Sequence, residues 1–80
     1  MKKYELTDET VRVGSRTLYR VRALCDIPGW GVKAGDLGGF VESERNLSQD
    51  GAAWVSGNAR VSGNARVSGA ARVPGAARVS

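Results

Sequence analysis

From Val55 onward valine returns at every sixth position, at 55, 61, 67, 73 and 79. The chain there reads V-S-G-N-A-R, V-S-G-N-A-R, V-S-G-A-A-R, V-P-G-A-A-R, V-S. Glycine therefore recurs at 57, 63, 69 and 75, alanine at 59, 65, 71 and 77, and arginine at 60, 66, 72 and 78. Gly51-Ala52-Ala53-Trp54-Val55 fits the same frame one unit earlier, with Trp54 in the arginine slot. A fixed period of this kind takes precedence over local propensity. Within each unit Ala, Arg and Val alternate inward, outward, inward, as a short strand requires. Ser-Gly-Asn supplies the turn, because Gly and Asn tolerate backbone shapes other residues avoid. A helix is disfavoured: each glycine costs about 1 kcal/mol relative to alanine, and the valines do not follow a 3.6 period. Pro74 falls in a turn slot, where a missing N–H does least harm.

The pattern predicts other elements upstream. Val41 and Leu47 are six apart and Leu47 is followed by serine, so Gln49-Asp50 reads as a two-residue insertion into the repeat. Glycine-rich corners alternate with apolar residues through 28–41, which puts the start of the coil near Val32. Thr10-Val11-Arg12-Val13, Gly14-Ser15 and Arg16 to Cys25 read as a β-hairpin with a two-residue turn. Tyr19, Val21, Ala23 and Cys25 share one face of its second strand, and Leu18, Arg20, Arg22 and Leu24 the other. Cys25 is expected as a small buried side chain.

The repeat over 51–80 resembles the hexapeptide-repeat left-handed β-helices, whose units carry an aliphatic residue followed four positions later by a small one. That resemblance implies three units per triangular coil. Val61 would then neighbour Val79, and Arg60 would neighbour Arg78, at about 4.8 Å. The expected fold is all-β: a short left-handed parallel β-helix preceded by an N-terminal β-hairpin cap, in a single domain over 1–80. Its parts are the hairpin at 4–27, a Gly-rich lead-in at 28–50 and the repeats at 51–80. The wider arrangement is similar to small phage- and prophage-encoded β-helix proteins. It comprises Met1 to Thr7, Val32 to Glu44, Asn46-Leu47-Ser48, Trp54-Val55 and the Gly-Asn-Ala-Arg-Val units.

Charge sharpens this picture. The net charge is +4, from twelve basic and eight acidic residues. All eight acids lie at or before Asp50, and the four arginines after it carry the whole surplus. A single cysteine gives no internal disulfide, which fits a reducing cytoplasm. The N-terminus has no apolar run of signal-peptide type, and no segment reaches membrane-spanning length. A soluble, cytoplasmic chain is expected, in the host bacterial cytoplasm if it is phage-encoded.

Candidate chemistry is sparse. The chain has no histidine, the residue on which hexapeptide-repeat acyltransferases and related zinc hydratases depend. The carboxylates form no visible pair, and a lone Cys without His is neither a zinc site nor an activated nucleophile. Gly35-Asp36-Leu37-Gly38-Gly39 lacks the ending of a phosphate-binding loop and reads as corner glycines. Asn46-Leu47-Ser48 matches a glycosylation acceptor without meaning in a cytoplasmic chain. No enzyme activity, cofactor or metal is expected.

Three readings of the arginines stand. They solvate the outside of a small coil; or they bind a protein; or they bind nucleic acid through phosphates. The candidate contact residues are Arg60, Arg66, Arg72, Arg78, Arg20, Arg22, Trp30 and Trp54, since Arg and Trp dominate binding hot spots. Protein binding ranks above nucleic acid binding, because the charge spreads around three faces and no lysine follows Lys33. The phage resemblance implies a stoichiometric anti-defence inhibitor of the anti-CRISPR kind, acting on a host protein. A self-assembling structural module is the alternative. Val73, Val79 and Ser80, at an open coil end, are the expected interface of a homodimer.

Overall fold

The structure is a computed structural model that describes residues 2–79. It is all-β, with two single-turn 3-10 helices as its only helical segments among the described residues. Two long strands, β1 (Tyr4–Val13) and β2 (Arg16–Ala23), form an antiparallel hairpin closed by Gly14-Ser15, with Gly14 at φ 61°. Positive φ is what a two-residue hairpin turn demands and glycine supplies without strain. The register shifts between Leu6 and Thr10, which bends β1.

β3 (Leu37–Val41) adds antiparallel to β2 and then pairs in parallel with β5 (Arg60–Val61), which pairs in parallel with β7 (Arg78–Val79). The two remaining strands, β4 (Trp54–Val55) and β6 (Arg72–Val73), form a separate parallel pair. Leu47 and Val67 are joined by a parallel bridge. Three apolar rows result: Val41–Val61–Val79, Leu47–Val67 and Val55–Val73. Partners are 18 residues apart where the chain between them follows the repeat. They are 20 apart for Val41–Val61 and Leu47–Val67, the two pairs that span Gln49-Asp50. The two-residue insertion is thus absorbed at one corner without disturbing register.

Val41, Leu47, Val55, Val61, Val67 and Val73 join Tyr4, Val21, Ala23, Ile27 and Trp54 in one continuous core. The alanine slot is buried at Ala53 and Ala59, half-buried at Ala65 and Ala77, and exposed at Ala71. Corners stack as tightly as strands. Gly57 has φ 58°, and a Cβ there would sit 2.8 Å from Gly75 Cα, 18 residues on.

Four expectations need correction. The parallel ladder begins at Phe40, not near Val32. Residues 27–36 stay tied to the hairpin instead: Val32 bridges antiparallel to Ile27, and Ala23 exchanges backbone hydrogen bonds with Gly35 and Asp36. Cys25 is exposed, because β2 ends at Ala23 and the bend that follows breaks its alternation. Ala71, in a slot expected to face inward, is exposed. Gly38 and Gly39 are buried strand residues and not corners. Cβ atoms there would lie 2.5 Å from Val55 O and from Val55 Cγ1, so β3 needs glycine for close approach.

Candidate functional site

The hairpin and lead-in supply side chains that finish hydrogen bonds over residues 44–53. Lys3 Nζ donates to Ala53 O (2.6 Å) and Gly51 O (3.5 Å), Trp30 Nε1 to Ala52 O (2.7 Å), and Tyr4 Oη to the carbonyls of Glu44 and Leu47. Apart from Glu44 O, which also accepts from Leu47 N, these carbonyls have no backbone donor among the described residues, so the side chains that cover them have a direct energetic role. Burial pushes the Lys3 ammonium below its usual pKa. Burial, with Glu44 nearby, pushes the Tyr4 phenol from 10.0 up to about 12.

The same segment pairs several of its own charges. Arg16 forks onto Glu42 (2.7 and 2.9 Å), Arg20 pairs with Glu9 (2.8 Å), Arg22 with Glu5, and Lys2 with Glu44 (3.1 Å). None of Arg60, Arg66, Arg72 and Arg78 has an ion pair among the described residues. The four arginines that carry the positive surplus of the sequence are therefore without ion pairs among the described residues, as are Arg12 and Arg45 upstream.

The repeat distributes those four arginines over three rows. Arg60 and Arg78 are neighbours on β5 and β7, and the row continues through Phe40 on β3 to Arg20 on β2. Arg20 lies over the Phe40 ring, 4.4 Å from its centroid, and donates to Gly38 O at 2.7 Å. Arg60 is half-buried, and its Nε is covered without a hydrogen-bond partner among the described residues. Arg66 is exposed on the row of Leu47 and Val67. Arg72 pairs with Trp54 in the ladder and stands 5.4 Å over the Trp30 ring.

Of the eight candidate contact residues, the structure thus leaves Arg60, Arg66, Arg72 and Arg78 without carboxylate partners. Arg20 and Arg22 are committed to Glu9 and Glu5. Trp30 keeps one half-buried face under Arg72 and spends its N–H on Ala52. Trp54 is corrected outright: at 1% exposure it is core and offers nothing to a partner. Of the expected dimer residues, Val73 is buried on β6 and Val79 half-buried on β7, each strand at the outer edge of its sheet. Ser80 lies outside the described residues.

Sequence reasoning missed a second feature, a cleft of about 690 Å³ between the hairpin turn and a repeat corner. Arg16, Glu42, Ser43, Arg45, Ser62, Gly63 and Asn64 line it, and a smaller groove of about 170 Å³ beside it runs between Arg45 and Arg66. Two side chains fix its walls. Glu42 accepts from Gly63 N (2.8 Å), and that bond, together with Arg16, holds its carboxyl below the usual range. Asn46, fully buried, donates to Gly63 O (3.2 Å) and Ala65 O (2.8 Å) and accepts from Ser43 N (2.9 Å). It stands where later units carry arginine, just before the apolar residue of the row. The only sequence signal for it was a motif match pointing elsewhere.

Among the described residues no group of three His, Cys, Asp or Glu side chains comes together as a metal site. No helix is long and apolar enough to cross a membrane. Compared with known proteins, the chain matches no protein-family model and no curated protein.

Proposed function

We propose that this chain is a short left-handed parallel β-helix with a hairpin cap, and that its repeat-borne arginines bind an acidic surface of a partner protein without catalysis. The parallel pairings at 18-residue spacing, and at 20 across the insertion, support the coil. A single observation carries the binding reading: every arginine of the hairpin has its own carboxylate except Arg12, exposed on β1, whereas the arginines of the repeat have none among the described residues. Arg60 and Arg78 stand side by side, an arrangement that like-charge repulsion disfavours and a bridging carboxylate relieves. The covered, unpartnered Nε of Arg60 adds a cost that the fold alone does not require. The resemblance to small phage- and prophage-encoded proteins points to a cytoplasmic host defence protein as the partner.

The test is capture from host lysate by the tagged full chain, with and without nuclease, in parallel with an Arg60→Gln/Arg78→Gln variant. The reading predicts a nuclease-resistant protein partner, cross-linked through an acidic surface and lost with the double variant. Capture that nuclease abolishes makes the chain a nucleic acid binder instead. Partners retained by the variant return the arginines to solvation.

A further inference from the structure

The groove between Arg45 and Arg66 lies on another row from Arg60 and Arg78, and its chemistry differs. Arg45 and Arg66 both line it, neither with an ion pair among the described residues, and Asn64 lines the same space. The carboxylate that lines the adjoining cleft, Glu42, is occupied by Arg16 and the Gly63 amide, and Glu44, beside Arg45 in the chain, by Lys2 and Gln49. The walls are held before any ligand arrives. Asn46 ties the corner at 63–65 to the turn that carries Arg45, and Glu42 ties it to β3 and the hairpin. The backbone that carries both arginines is held, and guanidinium groups, with their forked donors, suit an oxyanion better than lysines do. At about 170 Å³ the groove has room for one compact anionic group and not for a folded segment. It shares Arg45, Gly63 and Asn64 with the 690 Å³ cleft, whose size suits a small molecule and whose walls include Ser43, Ser62 and an ion pair, with no aromatic side chain.

We propose that this groove binds the phosphoryl group of a polar small molecule, with Arg45 and Arg66 taking the dianion and the adjoining cleft taking a hydroxyl-bearing body. Two unpaired positive charges match a phosphoryl dianion, where a carboxylate would leave one uncompensated. The hydroxyl and amide lining fits a sugar- or polyol-like body and offers a nucleobase no aromatic ring to stack on.

The experiment is amide and arginine Nε chemical-shift titration of the full chain with inorganic phosphate and with glucose 6-phosphate, against sodium chloride at matched ionic strength. Both phosphates should give saturable shifts at Gly63, Asn64, Ala65 and Arg66, and chloride should not. Glucose 6-phosphate should bind more tightly and also shift Ser62 and Ser43. Arg45→Gln and Arg66→Gln should each weaken binding about tenfold, the loss of one charge-assisted contact. Arg72→Gln, which removes the same charge from another row, should change affinity less than about twofold. Equal weakening by Arg72→Gln, or shifts that chloride reproduces, would overturn the site as mere ionic atmosphere. Equal affinity for the two phosphates, with Ser62 unmoved, would overturn the assignment of the larger cleft.

Discussion

Replacing Asn46 with alanine removes a bracket that the fold cannot rebuild. The side chain is fully buried and makes three hydrogen bonds: two donated to Gly63 O and Ala65 O, one accepted from Ser43 N. Alanine leaves two carbonyls and one amide without partners. Each unpaired buried group costs about 1–3 kcal/mol, and partial access of water to this corner puts the sum near the lower end, at about 2–4 kcal/mol. A chain of this size has about 4–12 kcal/mol of total stability, so the loss is a large fraction of it. At about 4–8 °C per kcal/mol for a domain of this size, the midpoint should fall by roughly 8–32 °C. The assay is thermal unfolding followed by circular dichroism and by fluorescence of the buried Trp54. Asn64→Ala is the internal control: that residue is exposed at the same corner, and its loss should cost less than about 0.5 kcal/mol. An Asn46→Ala midpoint within about 3 °C of the parent would refute the bracket and, with it, the preorganisation of the groove.

Other outcomes follow from the same structure. Gly39→Ala should prevent folding, since its Cβ would meet Val55 Cγ1 at 2.5 Å and Ala59 O at 2.6 Å; a soluble variant with native circular dichroism would contradict the packing of β3. Arg60→Leu should leave the midpoint unchanged or raise it, because it removes a covered Nε that has no partner; a drop of more than about 1 kcal/mol in denaturant titration would show that the guanidinium supports the fold. Tyr4 has a folded pKa of about 12 against 10.0 unfolded, so its contribution is fully present below pH 10 and is lost as pH rises toward 12. The loss is about 2–3 kcal/mol by linkage, and a parent and a Tyr4→Phe variant with parallel stability curves over that range would contradict it. Glu42 has a depressed pKa, so its stabilisation is present above the ordinary glutamate range and disappears as pH falls through the lower folded value. The Gly63 amide resonance should titrate with a midpoint below 4.5, and a midpoint at or above it would remove that hydrogen bond from the account.

The periodic features were legible in the sequence because they depend on neighbours within one unit. Valine every sixth residue, the insertion at Gln49-Asp50, the turn at Gly14-Ser15 and the stacking of Arg60 beside Arg78 all appear in the pairings. What escaped depends on contacts between distant segments. Trp54 sits in an outward slot, yet it is buried, with Gly38 and Val21 brought close to its ring. Arg20 and Arg22 looked like free cations until the hairpin register set Glu9 and Glu5 beside them. Asn46 broke the arginine pattern at one position, and only the corner at Gly63 and Ala65 shows why. Cys25 followed the alternation of β2 on paper, but the strand stops two residues earlier.

The stacking of residues 18 apart is the foundation for the arginine rows, and cross-linking reads it directly. In a Cys25→Ser background, Arg60→Cys/Arg78→Cys places two thiols on neighbouring in-register strands, within the Cα spacing of about 4.4–6.8 Å that a disulfide needs. Mild oxidation should close that bond within the monomer, while Arg60→Cys/Arg72→Cys, on different rows, should stay reduced or link only between molecules. Oxidation that joins 60 to 72 as readily as 60 to 78 would contradict the coil and every surface built on it.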